Sequence, residues 1–282
     1  MHPESAETFG ESFRLTFLTD DPRSALLADE AGIDRIGIDL EHLGKAERQA
    51  RVESRLSRHT ISDLARIASC IRRADLFARL NPIHPQTSGE IEASLHLGVR
   101  TLMLPYFHTA AEVDQFVRIV DGRAYVMILI ESTAALTRIR EILAVAGIDE
   151  VMIGLNDLHI QLRVANHFEV LASPLLEMVG AEIRRRGLQW SVGGVGRAGD
   201  ETLPVPASLV HAQYPRLGAT GAWISRSFTK TLPPQSNLAD EIRNLRNSLT
   251  HWATQSPEAL QRARDELSHR AAQWSPASHT VV

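Results

Sequence analysis

The chain has 282 residues, 44% of them hydrophobic and 23% charged, and 30 basic against 34 acidic side chains give it a net charge of −4. That length holds one large domain or two small ones around a substantial core, and the acidic balance argues against a protein that grips a nucleic-acid backbone. Only Lys45 and Lys230 are lysines, so a Schiff-base enzyme would have two candidate amines at most.

The polar opening MHPESAETFGES lacks the basic start and apolar core of a secretory signal. No run approaches the roughly 18 apolar residues of a membrane span, so a cytoplasmic protein without membrane or nucleic-acid partners is expected. From residue 12 onward short apolar runs alternate with helical patterns. Strands are predicted at 12–18, 34–39, 75–80, 100–104, 124–130, 149–153, 188–192 and 221–225. Between them helices are predicted at 22–31, 60–73, 88–97, 110–120, 133–145, 174–186 and 204–213. Thr60 with Asp63 and Thr109 with Glu112 have the spacing of capping boxes, and Gly32, Gly98, Gly147 and Gly187 follow helical stretches where a left-handed cap is wanted. Cys70 is the only cysteine, set on the 60–73 helix between Ile67 and Ile71, and reads as a packing thiol in a reducing compartment.

Strands separated by helices pair in parallel through crossovers. Eight such units predict a (β/α)8 TIM barrel over residues 1–230. The competing fold is a doubly wound open sheet, but no G-x-G-x-x-G follows the first strand. A C-terminal helical extension occupies 231–282: a hinge at Leu232, Pro233 and Pro234, a helix near 238–254, and another opened by Ser256, Pro257 and Glu258. Leu260, Ala263, Leu267 and Ala271 give that last helix an apolar stripe, which suits either a partner subunit or the chain's own barrel.

In such a barrel, chemistry sits where strands end and the next loops begin. The second strand ends Asp39, Leu40, Glu41, His42, the third Arg79, Leu80, Asn81, the fifth in Glu131, and the sixth runs into Gly154, Leu155, Asn156, Asp157. Each residue has a plain structural reading: Glu131 as a helix cap, Asp157 in an Asx-turn, Asp39 and Arg79 as an ion pair, His42 as a loop residue. Together they point further. Glu131 ends the apolar run VMILI, where a lone carboxylate is costly, and a divalent cation shared with Asp157 would remove that cost.

The segments GIDRIGIDLEH, ARLNP, LMLP, ILIES and MIGLNDL resemble, in order from about residue 12 to 228, the HpcH/HpaI aldolase and citrate lyase family, a set of metal-dependent barrel enzymes grouped with pyruvate-using barrels. The resemblance implies that Glu131 and Asp157 bind a divalent metal, Mg²⁺ before Mn²⁺ or Co²⁺. It implies that Arg79 holds a keto acid or its enolate, that Asp39 and His42 form an acid–histidine pair, and that the backbone at Gly154, Leu155 and Asn156 receives a substrate carboxylate. The expected reaction joins or splits a carbon–carbon bond between the enolate of a pyruvate-type 2-oxo acid and an aldehyde. Two positions depart from the family's aldolases: Leu129 stands where a glutamine is common, and His159 where a serine is usual. The alternatives are an acyl-CoA thioester lyase of the citryl- or malyl-CoA type and a non-catalytic metal-binding barrel. The family's habit of exchanging terminal helices implies a homo-oligomer, a hexamer or trimer of dimers.

Two further features stand apart. Lys45, Arg48, Arg51, Arg55 and Arg58 crowd the segment after the second strand, as a solvated face or an anion-binding flap. Gly193, Gly194, Gly196 and Arg197, with Ser225, Arg226 and Ser227, fall in the quadrant where barrels often bind phosphate. The histidines show no zinc-hydrolase spacing, and Met103 and Trp223 are expected to pack the barrel interior.

Overall fold

Eight apolar runs become eight parallel strands: β1 (Arg14–Leu18), β2 (Arg35–Asp39), β3 (Asp75–Arg79), β4 (Thr101–Leu104), β5 (Tyr125–Ile130), β6 (Glu150–Ile153), β7 (Gln189–Val195) and β8 (Gly221–Ile224). Each pairs with its neighbour in sequence, and β8 returns to β1 through Arg14↔Gly221 and Thr16↔Trp223, closing a (β/α)8 barrel. This is a computed structural model that describes residues 6–44, 59–200, 203–230 and 236–274. Both capping boxes form, at Thr60–Asp63 and Thr109–Glu112, and the four expected cap glycines adopt positive φ.

Three elements differ from expectation for local reasons. The helix predicted over 133–145 breaks at Arg138 into Thr133–Thr137 and Ile139–Ile142. There the Thr137 hydroxyl and the Arg138 guanidinium both donate to the Ala134 carbonyl, so the Arg138 N–H bonds to Ala135 instead. β7 runs three residues past its predicted end, because a register shift between Ser191 and Gly194, with Gly193 at φ 57°, lets it continue along β8. The stretch after β6 is a helix, Leu155–Leu162, with Gly154 at its N-cap position, and a short helix follows at His167–Leu171.

The interior is layered. Phe77, Met103, Met127, Leu129 and Met152 fill the middle, with Leu18 and Trp223 packed against them. The amino-terminal end is plugged by a polar set at the first residues of β1, β2, β5 and β6. Arg35 Nη2 meets Glu150 Oε2 at 2.7 Å, Ser191 Oγ donates to Glu150 Oε1 at 2.6 Å, and Arg14 donates to the Tyr125 hydroxyl at 3.2 Å.

The extension is bound to the barrel. Its helices, Leu238–Ala253 and Pro257–Gln273, pack on the barrel helix Ala207–Leu217. Arg246 donates to the carbonyls of Gly10 and Phe13 and to Asp34. Asn166 donates to the carbonyls of Ala271 and Trp274 at the chain's other end. Ala263, Leu267 and Ala271 are buried against the chain's own barrel, so most of the apolar stripe is spent within the protomer.

Candidate active site

The register of β2 and β3 sets Asp39 directly beside Arg79 at the carboxyl-terminal mouth of the barrel. Their side chains form a fork-to-fork pair, Arg79 Nε to Asp39 Oδ1 at 2.8 Å and Nη2 to Oδ2 at 2.6 Å. Glu41, two residues on, approaches the remaining amino group at 3.5 Å. The guanidinium carbon lies 4.8 Å from the centroid of the Trp223 ring across the barrel. Burial works against the charge on Arg79, but the carboxylates of Asp39 and Glu41, with Glu131 at longer range, outweigh it and hold the guanidinium well above its usual range. Arg79 is thus permanently charged and fixed from three sides.

Asp39 is engaged with Arg79, and both the backbone and the ring of His42 meet other groups. The His42 N–H donates to Asn81 Oδ1 at 2.9 Å, and its ring Nε2 lies 2.9 Å from the His59 carbonyl. A carbonyl only accepts, so Nε2 carries the proton and Nδ1 holds the lone pair. Asn81 Oδ1 also accepts from Leu43 N, while Asn81 Nδ2 donates to Glu90 Oε1 at 2.7 Å. His59 Nδ1 in turn accepts from the Asp39 N–H. Glu41, His59 and Asn81 are therefore structural members of the site that no single sequence motif announces. Asp39 and Glu41 at alternate positions of an inward-facing strand end was the available signal for Glu41.

Glu131 follows β5 and Asp157 lies in the helix after the adjacent β6, since Ile130 pairs with Ile153. Each is only 5% exposed. Glu131 does not cap the next helix; the Ser132 hydroxyl does, accepting from Ala135 N. Glu131 Oε1 accepts instead from the Tyr106 N–H at 3.1 Å, and Tyr106 takes the left-handed conformation at φ 43°. The Tyr106 hydroxyl accepts from Gln161, whose Oε1 receives the Thr133 N–H, tying the ends of β4, β5 and β6 together. A Cβ on Gly154 would fall 2.8 Å from Glu131 Cβ and 2.9 Å from its Oε2, so only glycine leaves this carboxylate its place. Gly154, Leu155 and Asn156, expected as a loop, open the helix Leu155–Leu162, and Asp157 sits in its first turn. The unpaired N–H groups of a helix start suit a carboxylate or phosphate ligand.

Among the described residues, no three His, Cys, Asp or Glu side chains group as a metal cage. Asp39 and Glu41 touch the buried Arg79 guanidinium and Glu131 acts on it at longer range, while Asp157 is buried in the helix after β6. Leu129 faces the barrel interior as expected and packs with Phe77 and the methionines. His159 stands in the same helix as Asp157, its ring 6.3 Å from His167, and burial holds it below the ordinary histidine range. His108 is a helix-entry loop residue stacked edge-on with Tyr106.

Gly193 and Gly194 of the glycine-rich run lie within β7, and Gly196 and Arg197 follow its end at Val195. Arg197 turns to Asp200 at 3.7 Å and Glu241 at 3.9 Å, joining the barrel to the extension. The basic segment Lys45 to Arg58 lies outside the described residues.

Residues 17–185, more than half of the chain, match the family described as HpcH/HpaI aldolase/citrate lyase. The chain belongs to that family. It is 25% identical over 211 residues to the 4-hydroxy-4-methyl-2-oxoglutarate aldolase cghB of Chaetomium globosum, covering 62% of this chain and 72% of that protein. Among solved structures, an HpcH/HpaI aldolase from Desulfitobacterium hafniense superposes with a TM-score of 0.60 at 19% identity, over 79% of this chain and 90% of that one. An HpcH/HpaI aldolase/citrate lyase family protein from Burkholderia cenocepacia superposes with a TM-score of 0.61 at 16% identity, over 87% and 97% of the two chains. Family and relative together mark this HpcH/HpaI member as a lyase of the aldolase/citrate lyase kind. Among the described residues no helix is long and apolar enough to cross a membrane.

Proposed function

We propose that the protein is a metal-dependent carbon–carbon lyase that makes or breaks a bond to the enolate of a pyruvate-type 2-oxo acid, with an aldehyde as the second partner. The observation that carries this reading is the charge of the mouth: the buried carboxylates Asp39, Glu41 and Glu131 at the ends of β2 and β5 and Asp157 in the helix after β6, against one buried arginine, Arg79. Buried carboxylates in such excess favour a cation.

The residues fit a divalent metal. Glu131, just after β5, and Asp157, in the helix after the neighbouring β6, are buried hard-oxygen donors, and Gly154 keeps the space beside Glu131 Oε2 clear. Two carboxylates with waters and substrate oxygens are the usual surroundings of Mg²⁺. The bound ion would supply a Lewis acid for the carboxylate and keto oxygens of a 2-oxo acid.

The chain's own groups account for the rest. Arg79, clamped by Asp39 and Glu41 over Trp223, presents fixed positive charge where the enolate oxygen turns negative, and its pairing removes any need to reorganise as the charge develops. The first amides of the helix Leu155–Leu162, at Leu155 and Asn156, suit the substrate carboxylate. The Trp223 Nε1–H is buried without an acceptor among the described residues and can donate to a substrate oxygen. His42, with Nε2–H spent on the His59 carbonyl, keeps Nδ1 to take or return the proton that moves between substrate carbon and oxygen.

Deuterium uptake into the methyl group of pyruvate, followed by NMR in heavy water, tests the proposal. Exchange that requires Mg²⁺, stops on adding a chelator and is lost in Glu131→Gln is expected. Exchange indifferent to chelator, or no exchange with Mg²⁺ present, contradicts it.

A further inference from the structure

Away from the mouth, on the flank where the extension meets the barrel, lies a cavity of about 460 Å³ bordered by Glu177, Arg184, Arg216, Leu217, Leu260 and Gln261. It is formed by the barrel helix Pro174–Arg185, the end of the helix Ala207–Leu217 and the start of the last helix. A volume of this size holds a small ligand rather than a single water.

Arg216 dominates its wall. The side chain is 8% exposed. Its Nε donates to Gln213 Oε1 at 2.6 Å and its Nη1 to Glu177, but its Nη2 is buried with no hydrogen-bond partner among the described residues. Glu177 does not neutralise it fully: that carboxylate is 47% exposed and binds through one oxygen. Arg264, paired with Asp265 and the Ala172 carbonyl, adds like charge near Arg216. Burial first, then this repulsion, lowers the affinity of Arg216 for its proton despite Glu177. Arg184, on the same wall, ties one amino group to the Leu217 carbonyl and so covers the negative end of that helix. The cavity therefore presents the guanidinium groups of Arg184 and Arg216 against the single carboxylate of Glu177, with Arg264 and Asp265 acting on Arg216 from outside the lining.

A buried guanidinium with an unused donor is a demand for an acceptor. Oxyanions meet it best, because the planar fork matches two oxygens of a carboxylate or phosphoryl group. We propose that this cavity is a second ligand site, separate from the mouth, that binds a small oxyanion against Arg216 and Arg184. The site stands on its own geometry and does not depend on the reading of the active site. Its ligand bridges the barrel helices to the extension.

Calorimetric titration of the full chain with inorganic phosphate and with acetate tests it. Binding of either ion, with protection from hydrogen exchange at 174–186, 207–218 and 257–264, is expected; the tighter ion identifies the ligand as phosphoryl or carboxylate. Glu177→Gln removes the internal competitor from an exposed position and tightens binding about threefold. Arg184→Gln, also on the surface, weakens it by a similar factor. Should Arg216→Gln fail to fold, those two variants still decide, because they move affinity in opposite directions. No binding tighter than about 10 mM, protection confined to the mouth, or an affinity unchanged in both surface variants overturns the proposal.

Discussion

Both ends of the barrel bury an arginine against carboxylates, in different proportions. At the floor, Arg35 and the partly exposed Arg14 face a single acid, Glu150, whose second oxygen is held by Ser191. The Tyr125 ring lies within 5.6 Å of both guanidinium carbons. At the mouth one guanidinium, Arg79, faces Asp39 and Glu41, with Glu131 buried just after β5 and Asp157 in the helix after β6. The groups are alike and their proportions differ. A set with enough cations for its acids is a plug; a set rich in acids has room for a cation from outside.

Removing an acid at each end is the strongest way to break that contrast. Glu150→Ala leaves the buried Arg35 without its carboxylate and is expected to cost about 3–5 kcal/mol of stability, read by urea unfolding. Glu131→Gln in metal-free protein is expected to cost less than about 1 kcal/mol, since relief of repulsion among the mouth carboxylates offsets lost hydrogen bonding. Equal losses would mean that the two ends are the same kind of structure.

Acid separates both ends from the seam that joins barrel and extension. His211 is fully buried, with Nε2 donating to the Gly196 carbonyl and Nδ1 accepting from Ser248 of the extension. Burial pushes it down to about 4 despite the Gly196 hydrogen bond. Between its ordinary value of 6.5 and about 4 the unfolded chain holds a proton that the folded chain refuses. Stability present above pH 6.5 is therefore lost as pH falls toward 4, by about 3 kcal/mol from this residue. His167, pushed down to about 4 by burial and then by His159, acts in the same direction. Melting temperatures between pH 7 and 4 should fall, and less so in His211→Gln; a flat profile would contradict the assignment.

The barrel was legible because strand and helix periods alternate without a break and because Gly32, Gly98, Gly147 and Gly187 mark helix ends. Of the site, the residues at strand ends were legible, since a barrel sends those positions to one face. What escaped depends on contacts between distant segments. Asp39 and Arg79 were readable as an ion pair, which the β2–β3 register makes, but the hold of Asn81 and His59 on His42 was not. The helix start at Gly154 escaped because no Ser, Thr, Asp or Asn side chain caps it. The apolar stripe of the last helix was visible, but whether it faced a partner or its own barrel was a question of tertiary packing.

The central claim is that the mouth, and not the floor, holds a divalent cation. Titration of Mn²⁺ into wild type, Glu131→Gln and Glu150→Gln, followed by electron paramagnetic resonance, tests it most directly. One site is predicted in wild type and in Glu150→Gln, and it should be lost in Glu131→Gln. Binding that survives Glu131→Gln, or disappears with Glu150→Gln in folded protein, would contradict the account.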